Sequence, residues 1–179
     1  MKKLKIFYPK NAISFHKTTI ILIVLLVCLF VIHYYKKIYP EALDDLHFLS
    51  IVFTFFYFIF YLINNFFRQE NVNGIFSGYL IIENDKITCD KKTYLINDID
   101  KINIYDESYQ GQFNGKVRGL EAKRSNGLDN IIEIYYNNKM DTYNFLQTKT
   151  ENIKIFKNEL RVYVEKGLIE KEDFEDLMK

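Results

Sequence analysis

Two stretches without a single Lys, Arg, Asp or Glu, Thr18 to Tyr35 and Phe48 to Phe67, decide what this chain can fold into. A helix of eighteen residues rises about 27 Å, close to the thickness of a bilayer's hydrocarbon core. The centre of the first run reads Ile-Ile-Leu-Ile-Val-Leu-Leu-Val-Cys-Leu-Phe-Val-Ile, and the second holds eight of the sixteen Phe. A secretory signal peptide fits the first run poorly: a small-x-small cleavage site should follow, and Tyr34, Tyr35, Lys36 and Lys37 follow instead. A buried helical hairpin in a soluble protein would need a larger soluble domain to cover both runs. The short polar connection with Pro40 suits a tight helical hairpin. The expectation is therefore a basic segment over 1–17, a transmembrane helix over 18–35, a loop over 36–46, a second transmembrane helix over 47–68, a linker over 69–78 and a folded domain over 79–179.

Charge sets the expected orientation. Lys2, Lys3, Lys5, Lys10 and Lys17 precede the first run with no acid among them, whereas in the loop Lys36 and Lys37 are offset by Glu41, Asp44 and Asp45. The positive-inside rule then puts both termini in the cytoplasm and the chain in the inner membrane as a multi-pass protein. Cys28 would lie in lipid and Cys89 alone in a cytosolic domain, so no disulfide is expected.

The second run carries a patterned polar stripe. His47, Ser50, Thr54, Tyr57, Tyr61, Asn64 and Arg68 follow a 3-4-3-4-3-4 spacing, the seam of a heptad; Asn65 is the exception. Polar side chains in a bilayer face protein or water, because unsatisfied donors are costly there. Two readings stand. The stripe packs on the first helix of its own hairpin, or second helices from several copies meet along it in a homo-oligomer that encloses a pore.

Beyond the linker, short apolar runs alternate with turn signals. Tyr79 to Glu83, Ile87 to Cys89, Thr93 to Ile96, Asp100 to Tyr105, Lys116 to Lys123, Asn130 to Tyr136 and Met140 to Gln147 read as seven strands, mostly antiparallel. Thr148-Lys149-Thr150-Glu151 is a capping-box signature. Ile153, Phe156, Leu160 and Tyr163 then recur at helical spacing up to Gly167, and Glu170 to Met178 reads as a last short helix. The fold class is α+β. This strand-turn order over 79–167, with the stretch Tyr94-Leu95-Ile96-Asn97-Asp98-Ile99-Asp100-Lys101-Ile102-Asn103-Ile104, resembles the small bacterial pleckstrin-homology-like (PH-like) proteins tethered behind two membrane helices. The resemblance implies a seven-stranded antiparallel barrel with a C-terminal helix plugging one end.

The sequence offers little chemistry of the catalytic kind. All three His precede residue 48, so the folded domain has no His and one Cys, no set of metal ligands and no evident cofactor. It also lacks a glycine-rich phosphate loop, a nucleophile elbow and a kinase signature. Phosphoinositide binding in the PH manner needs basic residues at the first hairpin, which here reads Glu83-Asn84-Asp85-Lys86. The candidate ligand surface is instead Tyr109, Gln110, Gln112, Lys116 and Arg118, with Lys123 and Arg124 near the next turn. Amides there suit bases, Tyr suits stacking, and Lys and Arg suit phosphates. A nucleotide or short oligonucleotide fits better than a nucleic-acid duplex, because residues 69–179 carry 16 basic against 20 acidic side chains. The architecture is also similar to the two-helix β-barrel membrane effectors of bacterial anti-phage systems of the CBASS and Hailong type. That likeness implies a non-enzymatic oligomeric sensor-effector: a cytoplasmic domain binds a signal and the helices respond. The rival expectation is a passive membrane-anchored scaffold for protein assembly in the envelope.

Overall fold

The computed structural model describes residues 2–10, 16–114 and 121–179. It divides into two compact units. One, the sheet unit, contains residues 2–10, 72–114 and 124–179; the other, the helical unit, contains 16–71 and 121–123.

The helical unit is a pair of helices, α1 (Lys17–Lys36) and α2 (Pro40–Phe67). Pro40 sits in the first turn of α2, where its missing N–H is no loss, so α2 starts well before the expected residue 47 and the loop shrinks to three residues. The helices run antiparallel: Thr19 meets Tyr61 at one end, while His33 meets His47 and Lys36 pairs with Asp44 at the other. Few of their side chains are covered. Phe30 and Phe48 are each about 70% exposed, at 71% and 70%. Both helices are long and apolar enough to cross a membrane.

The sheet unit holds seven strands: β1 (Leu4–Pro9), β2 (Gly74–Ile82), β3 (Lys86–Cys89), β4 (Lys92–Leu95), β5 (Lys101–Tyr105), β6 (Asn130–Tyr136) and β7 (Lys139–Phe145). All neighbours pair antiparallel, in the order β4-β3-β2-β1-β7-β6-β5. Six of these strands overlap those expected. The seventh does not. Lys116 to Lys123 was expected to be a strand; residues 115–120 lie outside the described residues, and 121–123 form none. The missing partner comes from the basic segment over 1–17. Leu4 and Ile6 turn into the core at 1% and 0% exposure, with Lys5 facing out, and β1 takes the middle of the sheet between β2 and β7. The two long helices therefore interrupt the sheet unit between adjacent strands, and the folded domain does not begin at residue 79.

The Thr148-Glu151 capping box was expected to start the long helix, and this is corrected too. Thr148 Oγ1 accepts from the Glu151 amide at 2.9 Å, but the Thr148 amide donates to the Glu151 carbonyl at 2.8 Å, which closes a turn instead of opening a helix. Asn152 caps the next element, accepting from the Lys154 amide at 3.1 Å, and a 3-10 turn (Ile153–Phe156) leads into α3 (Lys157–Glu165). Ile153, Phe156, Leu160 and Tyr163 are all at 0% exposure, sealing the core on the side of the β2–β3 turn, where the Tyr163 hydroxyl donates to the Glu83 and Lys86 carbonyls. Gly167 (φ +75°) ends α3, and α4 (Lys171–Met178) follows.

Candidate functional site

Four of the seven residues expected to bind a ligand lie in the sheet unit, and three of these are engaged within their own loop. Gln112 Oε1 accepts from the Tyr109 amide at 3.0 Å, and the Gln112 amide donates to the Tyr109 carbonyl at 3.0 Å. Arg124 Nη1 donates to the Gly111 carbonyl at 3.2 Å, and the Gln110 amide donates to the Gln147 carbonyl at 2.8 Å. The buried Asn130 carboxamide fixes the approach to this loop. Its oxygen accepts from the Glu107 and Ser108 amides at 3.0 and 3.1 Å, and its nitrogen donates to the Gly127 carbonyl at 2.8 Å. Lys123 belongs to the helical unit, where its amide donates to the Asn65 carbonyl at 3.0 Å. Lys116 and Arg118 lie outside the described residues.

Tyr109 lines a cavity of about 390 Å³ with Asp106, Gln147, Lys149, Asn152 and Lys154. Gln147 is 1% exposed and holds the wall from both ends of its amide: Nε2 donates to Asp106 at 2.6 Å and Oε1 accepts from the Ile153 amide at 2.8 Å. The Lys149 ammonium stands 5.9 Å from the centre of the Tyr109 ring. An aromatic face and two lysines thus surround one opening, a set that can stack a planar ring and meet a phosphate. Lys149 and Lys154 escaped the sequence reading because they sit in the segment after β7. Bonds from Gln147 to Gln110 and Asp106 bring that segment beside Tyr109.

The polar stripe of α2 turns mainly toward α1. The Tyr57 hydroxyl donates to the Thr18 carbonyl at 3.1 Å, Tyr61 and Thr19 hydroxyls are 3.2 Å apart, and His47 Nε2 is 3.2 Å from His33 Nδ1. Arg68 donates to the Thr18 hydroxyl at 3.3 Å. Thr54 and Tyr61 are buried at 8% and 2% exposure. Ser50 donates to its own helix at the His47 carbonyl, 2.7 Å away, and Asn64 is half-buried. Asn65, outside the heptad, is buried at 3%, as the slow drift of a straight helix against a seven-residue repeat requires.

A second polar cluster stands among β4, β6 and β7. Asp141 accepts from the Lys92 ammonium and the Tyr94 hydroxyl, and the Tyr94 and Tyr143 hydroxyls are 2.7 Å apart. The Lys92 ammonium also lies 4.4 Å from the Tyr136 ring centre. Burial raises the Asp141 carboxyl, but hydrogen bonds from Lys92 and Tyr94 outweigh it and hold the group below its usual value. The bond to Asp141 raises Lys92, and burial raises the phenols of Tyr94 and Tyr143. These neighbours satisfy one another, so the cluster ties β4 to β7 and leaves little for a ligand. Among the described residues no group of three or more His, Cys, Asp or Glu gathers as a metal site. No protein family, curated protein or solved structure matches this chain.

Proposed function

We propose that this chain is a membrane-anchored, non-catalytic binding protein whose sheet unit, a PH-like barrel in the cytoplasm, takes a small phosphorylated aromatic ligand of the nucleotide class in the Tyr109 cavity. The observation that carries this reading is the convergence of the Tyr109 ring, Lys149 and Lys154 on one opening of a size suited to a small molecule. The barrel reading is supported by contacts that bring edge strand β4 across to β6 and β7, and by α3, which seals one side.

Three observations support the bilayer reading. Core helices of a soluble protein bury their apolar side chains, whereas those of α1 and α2 are largely exposed. The lysine-rich start favours a cytoplasmic origin. The third is topological: β1 precedes the helices, β2 follows them, and the two strands pair. The chain must cross an even number of times for that pair to form, as a two-helix hairpin in the inner membrane does.

An oligomeric pore of the anti-phage effector kind would require Tyr57 and Tyr61 to exchange Thr18 and Thr19 for groups on another copy. The packing within one chain favours the anchor over the pore. Titrating the detergent-solubilised chain with adenine and guanine mononucleotides and cyclic dinucleotides, by calorimetry, tests the ligand. Saturable binding that weakens about tenfold or more in Lys149→Ala/Lys154→Ala supports the reading, and no binding by any of them refutes it. Planar-bilayer recordings of Tyr57→Ala/Tyr61→Ala test the pore: raised conductance would restore the effector reading, and lost helix-pair stability without a leak would remove it.

A further inference from the structure

β5 ends the strand order, and only part of its outer edge is used. The Ile102 amide donates to the Leu168 carbonyl at 2.8 Å, so the segment after α3 lies along that edge. Amides along a strand alternate between its two sides. Ile104, two residues on, therefore directs its N–H and C=O outward as well, and among the described residues nothing bonds that N–H. Beside it a groove of about 740 Å³ opens between β5 and α4, with Ile104 and Leu177 as apolar floor.

Five carboxylates and three lysines line this groove. Lys101 pairs with Glu170 at 2.8 Å and Lys179 with Asp176 at 2.5 Å. Asp106, Glu107 and Asp173 remain beside a single further lysine, Lys154, and Asp173 also acts at a distance on Lys101, so the groove is net negative. Asp106 is held by Gln147, whereas the Glu107 and Asp173 side chains are exposed and, among the described residues, have no hydrogen bond or close ion pair.

We propose that this groove binds an extended peptide segment bearing lysine or arginine, which adds to β5 at Ile104 and sets its basic side chains against Glu107 and Asp173. The edge supplies main-chain pairing, the groove supplies an apolar floor, and the carboxylates select the sign of the partner's charge. Leu168 already shows how a chain lies on this edge, and the partner continues where Leu168 stops. The proposal rests on the sheet unit being a binding module, and not on bilayer insertion or on the Tyr109 cavity.

The test uses the full chain in non-ionic detergent and a labelled hexapeptide alternating lysine and valine, blocked at both ends, with its glutamate–valine counterpart as control. Fluorescence anisotropy should show saturable binding of the lysine peptide, at least tenfold weaker for the glutamate peptide. Glu107→Lys/Asp173→Lys should weaken lysine-peptide binding by at least tenfold with an unchanged melting curve. Hydrogen exchange should slow at the Ile104 amide when the lysine peptide is bound, and not at Thr93 on the opposite edge strand. Absence of binding, equal binding of both peptides, or binding without protection at Ile104 would overturn the proposal. Membrane retention and nucleotide titration are read separately, so their failure would count against the proposed function and not against this groove.

Discussion

Replacing Ile6 with Ala asks whether residues 4–9 are a basic flank or the central strand of the sheet. Ile6 has 0% exposure and pairs across to Phe145, itself at 0%, on β7. Truncation leaves a cavity under β1, and losses of this type cost about 2 to 5 kcal/mol. That is a large part of the ~5–15 kcal/mol that holds a typical domain together. With a urea dependence near 2 kcal/mol per molar, the unfolding midpoint should fall by about 1 to 2.5 M. Lys5→Ala removes an exposed neighbour on the opposite face and should stay within about 0.5 kcal/mol. The assay is a urea titration in detergent, read by hydrogen exchange at the β6 and β7 amides, which reports the sheet unit and not the helices. If Ile6→Ala moves the midpoint no further than Lys5→Ala, β1 does not belong to the core and the strand order is wrong.

Three further outcomes are expected. Asp141 is held below its usual value, so its contribution is present above about pH 4 and fades as pH falls through the folded value; Asp141→Asn should flatten acid unfolding in that window, measured by circular dichroism. Gly127 has φ +76°, and an added Cβ would meet the Gln147 carbonyl oxygen at 2.4 Å, so Gly127→Ala should cost about 1 to 3 kcal/mol in thermal unfolding and loosen the Tyr109 loop. Tyr61→Phe removes a hydroxyl contact with Thr19 and, with the helix pair in a bilayer as proposed, should weaken that pair by only about 0.6 kcal/mol, measured by steric trapping, because hydrogen bonds between helices in lipid are individually modest.

Where the sequence was readable, the signal was an uncharged apolar run or a short period bounded by turn residues. The two apolar runs are of the first kind, and the six strands from β2 onward and the helical recurrence from Ile153 to Tyr163 are of the second. β1 was hidden because its alternation breaks where Ile6 and Phe7 are both buried, and because its lysines carried a second meaning as a topogenic flank. Thr148 and Glu151 have the side chains of a helix start, but Asn152 takes the capping role four residues after Thr148. The polar groups of the Tyr109 loop read in the sequence as ligand contacts, and in the fold Gln112 and Arg124 bond to the loop's own backbone. Such internal bonds have no linear signature. Lys149 and Lys154 likewise become neighbours of Tyr109 only through tertiary folding, and the groove beside β5 depends on α4 lying back along an edge strand.

Placing two long helices between paired strands also fixes the order in which this chain can mature. Ile6 and Phe145 are partners across the middle of the sheet, 139 residues apart. At ribosomal speeds of ~5–20 residues per second, β1 waits roughly 7 to 28 s for β7 to be synthesised. During that wait α1 and α2 are made and, if they cross the bilayer, inserted, while β1 carries Leu4, Ile6 and Phe7 uncovered. A strand kept waiting with an open edge needs protection from pairing elsewhere. The lysines at positions 2, 3, 5 and 10 supply it, as charges on a bare edge discourage foreign strands. They would then serve the chain twice, first as a shield during synthesis and afterwards as the outward face of a finished sheet.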